Sequence, residues 1–426
     1  MAVHVIQSYP SNNLNRGEDG SPKSCIFGGV RRSRVSSQCI KRNARLAMYD
    51  VISENDENGM GIRTKTMPAI IAGLLGSWAE SAENVTWTDD EMEKQKYHEA
   101  AKEFDIRDVS HALTAVGMQI DAKKNHTLKS VYCTNMKQCE AFAKAMLEIG
   151  SKRAGEDKDG NLKLNPYDTK TELPALDDAL DSSISLDIMM FGRMQAGRPI
   201  HNVEACIQVG HEFSTHRAEE EFDYFTAVDD AKSMLKEQGS AHLDTQEFTS
   251  ATMYRYSSMD LRAMYQAMRK NGSDMNLAML AKEWVRAFAL AAPTGKQNSF
   301  AATTLPVYVF VEFRNDAPVS FANAFEKAVE DGTDGYEGAS VKAFEERVRR
   351  SDAIGWLHAP VARFLVSEQA SSLQDCIQPN FNALLDHVEE TVKDAPQYCR
   401  RRYRDSERRN LVRQRHKDEQ SHRRRV

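Results

Sequence analysis

The sequence predicts an α+β protein in which strands are separated by helices and long insertions. Two segments rich in β-branched and aromatic residues, 3–9 and 305–313, are predicted to be strands. Between them, residues 60–150 place apolar side chains at every third or fourth position, which is the spacing of helices. Glycine signatures of a strand–helix–strand nucleotide fold do not accompany the strands, and no internal repeat occurs.

Near the N-terminus, the sequence alternates between regular and loop-forming segments. The strand at 3–9 precedes a polar loop at 10–23, which is rich in Asn, Gly and Ser. Ser36 or Ser37 is suited to cap a helix that we expect over residues 38–51. This helix presents cations one turn apart on one face.

The centre of the chain carries less regular patterns. Residues 151–180, rich in Asp, Lys, Gly and Pro, predict a surface loop or linker. The apolar run 184–190 predicts a buried strand or a short core helix. A polar stretch at 218–249 leads into alternating apolar residues at 253–256, which are typical of a strand.

The composition is ordinary for a globular protein. The 426 residues are 41% hydrophobic and 28% charged, which allows two or three domains. Residues 1–13 lack a secretory signal, and the longest apolar stretch, 67–79, is too short to cross a bilayer. We therefore expect a cytoplasmic protein that does not contact membranes. Its seven cysteines contain no CxxC pair, which favours free thiols without a structural zinc site.

Charge is segregated along the chain. Residues 398–426 hold twelve Lys or Arg and four acids, a balance of +8, so residues 1–397 carry −14 within the total of −6. Residues 20–49 hold seven bases and no acid, and we call this segment the basic island. Such segregation favours a polyanion-binding surface, although a charge run is also typical of a solvated helix face. The tail 398–426 is predicted to be disordered; it either adds affinity for nucleic acid or is a solvated extension.

Catalytic motifs are weak. Asp229 and Asp230, with His211, His216 and His242 nearby in sequence, could be imagined as a metal site for nuclease chemistry. Adjacent residues do not face the same way in regular structure, so a turn is the better interpretation of the acidic pair. Phosphate-loop and Gly-x-Ser-x-Gly patterns are absent. We expect no catalytic residue, no metal and no cofactor, and a metal-dependent ribonuclease is the alternative.

A series of segments, in order along the chain, carries a resemblance to one family. The N-terminal group is NLNR at 13–16, IFGG at 26–29, RRSRVSSQ at 31–38 and KR at 41–42. The later segments are LDI at 186–188, FGRM at 191–194, DYFTAVDD at 223–230, GSAHLDTQEF at 239–248, YRY at 254–256, GKQ at 295–297 and FANAFEKAV at 321–329. Together they resemble the CasC family, the backbone subunits of type I-E CRISPR Cascade complexes. The resemblance extends to about residue 365, diverges in the helical insertion and does not include the tail.

The resemblance implies a hand-shaped subunit. Its palm would resemble an RNA-recognition-motif (ferredoxin-like) sheet, interrupted by a helical fingers insertion and a thumb β-hairpin. The implied segments are palm 1–59, fingers and linker 60–182, palm strand 183–202, thumb 203–249, palm 250–397 and tail 398–426.

The same resemblance implies a binding function and no enzymatic activity. Copies of such a subunit stack head to tail along crRNA, bind its phosphates without sequence preference and displace bases at intervals. The guide can then pair with target DNA in antiviral defence. The implied partners are crRNA, target DNA, further copies of the chain and other Cascade subunits. A stand-alone RNA-binding protein outside any CRISPR system is a third hypothesis.

The resemblance also assigns RNA contacts. The implied backbone contacts are Asn15, Arg16, Arg31, Arg34, Ser36, Ser37, Gln38, Lys41, Arg42 and Arg45, together with Lys296 and Gln297. Met194 matches a position where an apolar side chain wedges beside the displaced base, although a methionine in an apolar stretch is more often core. Tyr224, Phe225 and Thr226 match the thumb tip, where aromatic rings stack on bases, and hairpin packing is the alternative for one ring.

Overall fold

The computed structural model describes residues 1–156, 158, 162–195, 199–228, 240–332 and 335–394. They form two compact units. The first contains the described residues of Met1–Met48 and Gln208–Arg262 and those from Asn276 to Asp394, and the second contains the described residues of Tyr49–Ile207 and Ala263–Met275. The predicted tail, 398–426, lies outside the described residues.

Strands and helices are interspersed along the described residues. The strands are β1 (Ala2–Asn12), β2 (Ser24–Phe27), β3 (Val30–Val35), β4 (Ile62–Thr64), β5 (Ile120–Asp121), β6 (Thr127–Leu128), β7 (Tyr132–Thr134), β8 (Arg153–Glu156), β9 (Leu162–Leu164), β10 (Ile207–Val209), β11 (Glu212–Ser214), β12 (Glu221–Val228), β13 (Ser240–Met259), β14 (Tyr308–Phe313) and β15 (Ala362–Ser367). The α-helices are α1 (Ser37–Ala47), α2 (Tyr49–Asn55), α3 (Met67–Glu80), α4 (Glu91–Ala101), α5 (Ile106–Ala115), α6 (Met136–Ile149), α7 (Glu172–Asp181), α8 (Leu186–Phe191), α9 (Leu261–Lys270), α10 (Leu277–Leu290), α11 (Gln297–Phe300), α12 (Tyr336–Ile354) and α13 (Phe381–Asp394).

The first unit is built on an antiparallel sheet with the order β15-β14-β1-β13-β11-β3-β2, and β10 and β12 also pair with β13. β1 lies between β14 and β13, so Val5 stands opposite both Val309 and Arg255. This inner position explains why most of β1 is buried. The long strand β13 continues beyond the sheet and pairs with β12 as a hairpin.

One face of the sheet has an aromatic core. His4 and Ile6 of β1 share this face with Tyr254 and Phe310, because facing residues of neighbouring strands point the same way. Phe344 of α12 packs against this layer, with its ring centroid 5.7 Å from that of Phe310. The amphipathic helix α12 therefore covers this side of the sheet.

The other face contains a buried polar network. Arg255 donates to the Tyr9 hydroxyl at 3.1 Å, to Gln7 Oε1 at 2.7 Å and to the Ala289 carbonyl of α10 at 2.6 Å. Glu212 lies 3.7 Å from Arg255 and is fully buried. Burial raises the pKa of Glu212, because the charged form loses its hydration. The network fixes β1, β11, β13 and α10 relative to one another.

The second unit is helical around one hydrophobic core, as the spacing in residues 60–150 predicts. Met67, Ile71 and Leu75 of α3 lie on one stripe and are almost completely buried. Leu113 of α5 and Phe142 of α6 belong to the same cluster. Short two-stranded ladders accompany the helices.

Several boundaries differ from the sequence prediction. The helix expected over 38–51 ends at Ala47, and Met48 separates it from α2. The strand expected at 305–313 begins at Tyr308. Residues 151–180 are not simply a loop, because Leu176 and Leu180 of α7 have helical spacing and are buried. The acidic residues of α7 are typical of a surface loop, so the sequence did not indicate this helix.

The apolar run at 184–190 forms a short core helix, the second of the two predicted alternatives. It corresponds to α8, which is buried and ends where Gly192 adopts φ +79°. The palm strand assigned to 183–202 is therefore wrong. A Cβ atom on Gly192 would lie 2.9 Å from the Val203 carbonyl oxygen, so glycine lets the chain turn tightly there.

In the described part of the chain, no helix is both long enough and apolar enough to cross a bilayer. The six cysteines that can be described are free thiols. The seventh, Cys399, lies outside the described residues.

Candidate nucleic-acid interface

The basic island begins with the β2–β3 hairpin. Its turn places Gly28 and Gly29 at φ +59° and +77°, a conformation that glycine adopts without strain. A Cβ atom on Gly28 would overlap the Glu326 carbonyl oxygen at 1.6 Å. The hairpin therefore lies directly on the segment that follows Phe325.

Arg32 is a structural residue inside the basic island. Its side chain is fully buried and donates to the carbonyl oxygens of Ser214 at 3.1 Å, Thr215 at 2.6 Å and Phe325 at 2.8 Å. These acceptors belong to segments far apart in the chain. Arg32 thus holds the hairpin in place and cannot reach a ligand in solvent.

The N-terminus of α1 is organised by polar side chains. Ser36 is the N-cap, and its hydroxyl accepts from the Cys39 N–H at 3.3 Å. Asn15 Oδ1 accepts from the Ser36 N–H at 2.9 Å. The first turn contains no acid, so the positive end of the helix dipole is not neutralised. A helix N-terminus of this kind favours phosphate oxygens.

His211 belongs to this surface, although the sequence did not indicate it. Its Nδ1 accepts from the Ser37 N–H at 2.9 Å, so the imidazole is neutral in this arrangement. Partial burial and the nearby charges of Arg34 and Lys23 lower the pKa of His211. Only the three-dimensional fold brings His211 to the helix N-terminus.

The predicted backbone contacts, which we call the band, lie on the loop after β1, on β3 and along α1, where Arg45 is in the last turn. Their exposure differs. Arg16, Gln38 and Arg42 are exposed. Half-buried positions are Asn15, Arg34, Ser37, Lys41 and Arg45, whereas Ser36 is buried. Lys23, which was not assigned to the site, lines an open depression together with Asn15, Ser33, Arg34 and Thr249. The band therefore includes one further cation.

Arg31 is exposed but carries an intramolecular partner. Its Nη1 is paired with the carboxylate of Glu220, which directly precedes β12. This contact joins the basic island to the base of the β12–β13 hairpin.

The predicted contacts near residue 296 lie beside the loop that follows β1. Gly295 packs against Leu14, and Lys296 adopts the left-handed conformation at φ +54°. Lys296 Nζ donates to Gln246 Oε1 at 3.2 Å, and Asn13 Nδ2 donates to the Glu247 carbonyl at 3.0 Å. Gln297 is half-buried and donates to the Pro293 carbonyl oxygen at 3.0 Å. Three distant segments thus meet at the base of the hairpin.

The β12–β13 hairpin exposes aromatic side chains. The exposed fractions are 64% for Tyr224 and 40% for Phe225, and Thr226 is also exposed. Strand alternation places Tyr224 and Thr226 on one face and Phe225 on the other. Phe222, 65% exposed and missed by the sequence analysis, shares the face of Tyr224. Phe222 precedes Tyr224 by two residues, a spacing that places both side chains on the same face of a strand and could have identified Phe222 from the sequence.

Met194 belongs to the second unit and is 87% exposed, so it is not a core residue. The preceding Arg193 is buried and anchors this segment. It donates to the His201 carbonyl at 2.9 Å and to Asp181 at 3.2 Å. A fixed backbone therefore presents Met194 to solvent, and its role as a wedge stays a prediction.

Among the described residues, no group of three His, Cys, Asp or Glu side chains could hold a metal ion. His216 is engaged structurally, because its Nε2 accepts from the Thr252 N–H at 3.1 Å. Asp229 and Asp230 lie outside the described residues, as does the side chain of His242. The expectation of a non-enzymatic protein stays a prediction.

Chemically, the band around α1 offers guanidinium, ammonium, amide and hydroxyl donors. These groups bind phosphate oxygens without distinguishing bases. The aromatic rings on the hairpin can stack on any base, since every base has a π-face. The arrangement suits a single-stranded nucleic acid of arbitrary sequence.

The match to a protein family extends over nearly the whole described chain. Residues 1–393 match the family described as CT1975-like protein. The chain belongs to the CT1975-like protein family. Comparison of this CT1975-like chain with curated proteins gives no match.

Two solved structures resemble the CT1975-like chain. One, described as "CRISPR RNA-guided surveillance complex, pre-nicking", has 25% identity and a TM-score of 0.71, covering 92% of this chain and 99% of that one. Another, described as "CRISPR RNA-guided surveillance complex", has 23% identity and a TM-score of 0.53, covering 92% and 98%. The second likeness concerns the fold alone.

Proposed function

We propose that this chain is the guide-RNA-binding backbone subunit of a type I-E CRISPR surveillance complex, Cascade. Copies assemble along crRNA, bind its phosphates without sequence preference and displace bases at intervals. The guide then pairs with target DNA. The observation that carries the proposal is the band of guanidinium, ammonium, amide and hydroxyl donors on the loop after β1, on β3 and along α1, a helix whose first turn contains no acid.

The two structural units support a division of labour. In the proposal, the sheet unit is a palm related to RNA-recognition motifs, the helical unit is the fingers, and the β12–β13 hairpin is the thumb. The hairpin supports this role because its aromatic side chains are exposed at 40–65%. Tyr224 and Phe225 on opposite faces would let one hairpin contact the bases on either side of a kink.

The comparisons support the proposal at the level of the assembly. The solved chain with 25% identity belongs to an RNA-guided surveillance complex, and almost its entire length is matched. We accordingly propose crRNA, target DNA, further copies of this chain and other Cascade subunits as partners, in the cytoplasm. We further propose that the chain binds RNA without cleaving it.

The test is a charge reversal of exposed cations in the band. Arg16→Glu combined with Arg42→Glu should weaken binding to single-stranded RNA at least tenfold, and equally for unrelated sequences. The slope of log K against log salt should fall by about 1.4, since each phosphate contact contributes about 0.7. Lys163→Glu, which reverses one exposed cation of the other unit, is the control for a charge reversal outside the band.

Two results would contradict the proposal. One is RNA affinity that survives the double reversal or that falls equally in the Lys163→Glu control. The other is cleavage of the bound RNA in Mg²⁺ that persists in highly purified protein and is lost in Asp229→Ala/Asp230→Ala, which would favour the ribonuclease.

A further inference from the structure

Arg31, one of the predicted phosphate contacts, is already paired with a carboxylate of the same chain. Its Nη1 donates to both oxygens of Glu220, at 2.6 and 2.7 Å. The Arg31 side chain is 53% exposed and the Glu220 side chain 26%, so the pair is accessible from solvent. A ligand can therefore reach it without unfolding the protein.

We infer that Glu220 is an internal competitor for the phosphate site at Arg31. RNA engages Arg31 by displacing this carboxylate, so Glu220 sets the RNA affinity of the band. The inference rests on the proposed function, since it concerns the same RNA.

The chemistry of the exchange is simple. A carboxylate and a phosphodiester each carry one negative charge and accept hydrogen bonds from a guanidinium group. Glu220 takes the Nη1 donors, and a phosphate that used the Nε and Nη2 donors instead would lie beside Glu220 and be repelled by it. Displacing Glu220 thus opposes RNA binding, and this effect is largest at low salt, where screening is weak.

The backbone around Glu220 is held in place independently of its side chain. The Ala218 N–H donates to the Arg31 carbonyl at 2.9 Å. The Thr249 hydroxyl donates to the Glu219 carbonyl at 3.2 Å. The side chain of Glu220 can therefore leave Arg31 while the base of the hairpin keeps its position.

Arg31 differs in this respect from its neighbour Arg32. Arg32 is buried and donates to five backbone carbonyls, which no ligand can replace. The partner of Arg31 is a half-buried side chain at the surface. Only the contact of Arg31 is suited to exchange.

The test compares Glu220→Gln with Glu219→Gln in the purified full chain. Both variants remove one charge, and they differ by one position. With a labelled oligouridine at low salt, Glu220→Gln should bind roughly three- to tenfold tighter, whereas Glu219→Gln should stay within about twofold of wild type. The advantage should shrink at high salt. Circular dichroism verifies that each variant is folded.

A second pair of variants tests whether the effect of Glu220 on RNA affinity depends on Arg31. In an Arg31→Gln background, adding Glu220→Gln should leave RNA affinity unchanged, because the site that Glu220 occupies has gone. Unchanged or weaker binding by Glu220→Gln, or a gain that persists without Arg31, would overturn the inference alone. If the wild-type chain binds no RNA, the proposed function fails, and this inference fails with it.

Discussion

Gly295 lies so close to Leu14 that a Cβ atom on Gly295 would stand 2.3 Å from the Leu14 carbonyl oxygen. These residues are far apart in the chain, yet their contact brings Lys296 to the loop that holds Asn15. The base of the hairpin and the basic island share this junction.

Replacing Gly295 by Ala should separate the two loops. The overlap with a backbone atom cannot be relieved by a side-chain rotation, so we expect a loss of about 1–3 kcal/mol in unfolding free energy. RNA affinity should fall as well, because Lys296 moves. Urea unfolding and RNA titration measure the two effects.

The matched control for this substitution is Gly76→Ala. Gly76 is an exposed helical residue with open space around the position of a Cβ atom. Alanine favours the helix by about 1 kcal/mol over glycine, so this variant should be more stable than wild type. Equal stability of the two variants would contradict the close packing at Leu14.

Substitutions of Arg32 and Arg42 should affect different properties: folding stability for Arg32 and RNA affinity for Arg42. Arg32→Ala leaves several buried carbonyl oxygens without a donor, which we expect to cost roughly 3 kcal/mol or more. Arg42→Ala should leave the unfolding midpoint unchanged and weaken RNA binding severalfold. Thermal unfolding and RNA titration of both variants provide the comparison. A destabilised Arg42→Ala would place Arg42 in the structural framework.

Alanine substitutions of the hairpin aromatics should have coupled effects on RNA affinity only where the two rings share a face of β12. Phe222 and Tyr224 share one face of β12, and Phe225 lies on the other. Each alanine substitution should weaken RNA binding by about 1–3 kcal/mol if the ring stacks on a base. Losses for Phe222 and Tyr224 should be non-additive, whereas those for Tyr224 and Phe225 should add. Double-mutant cycles in RNA affinity test this pattern, and strong coupling between Tyr224 and Phe225 would contradict it.

The fold should lose stability in acid through His4. This side chain is fully buried and hydrogen-bonded to Tyr254 at 2.9 Å. Burial, together with the charge of Arg363, lowers the pKa of His4 to about 3. The native state therefore favours the neutral form. The stabilisation that comes from neutral, buried His4 is fully present above the unfolded-state pKa of about 6.5. It is lost as the pH falls from there towards 3.

The measurement is the unfolding free energy in urea between pH 8 and pH 4. The wild type should lose about 1.4 kcal/mol per pH unit below pH 6 relative to His4→Gln. This difference removes the contributions of other groups, including Glu212, whose raised pKa acts in the opposite direction. Parallel pH profiles of the two proteins would show that His4 is not buried in the neutral form.

Local patterns in the sequence were sufficient for much of the fold. Periodicity and composition predict the strand β1, the helices of residues 60–150 and a serine cap at position 36 or 37, because each of these depends on neighbouring residues. The sequence did not indicate the helix α7, because its many acidic residues are typical of a surface loop, although its leucines have helical spacing. In α8, a short apolar run left strand and helix as alternatives, which only tertiary packing decides.

The candidate site was less predictable, because it depends on contacts between distant segments. Arg31, Arg32 and Arg34 are equivalent in the sequence, yet only Arg32 has carbonyl partners from residues 214 and 325 that bury it. His211 reaches the N-terminus of α1 through sheet pairing between β3 and β11. Such partners cannot be identified from one sequence.

The most direct test of the account is the RNA content of a particle assembled in cells. The chain is co-expressed with a repeat–spacer transcript, purified under native conditions and treated with ribonuclease. We predict several copies of the chain on one protected RNA, with protected lengths that increase in regular steps as copies are added, for any spacer sequence. A chain that purifies without RNA, or that protects only one particular sequence, would contradict the account.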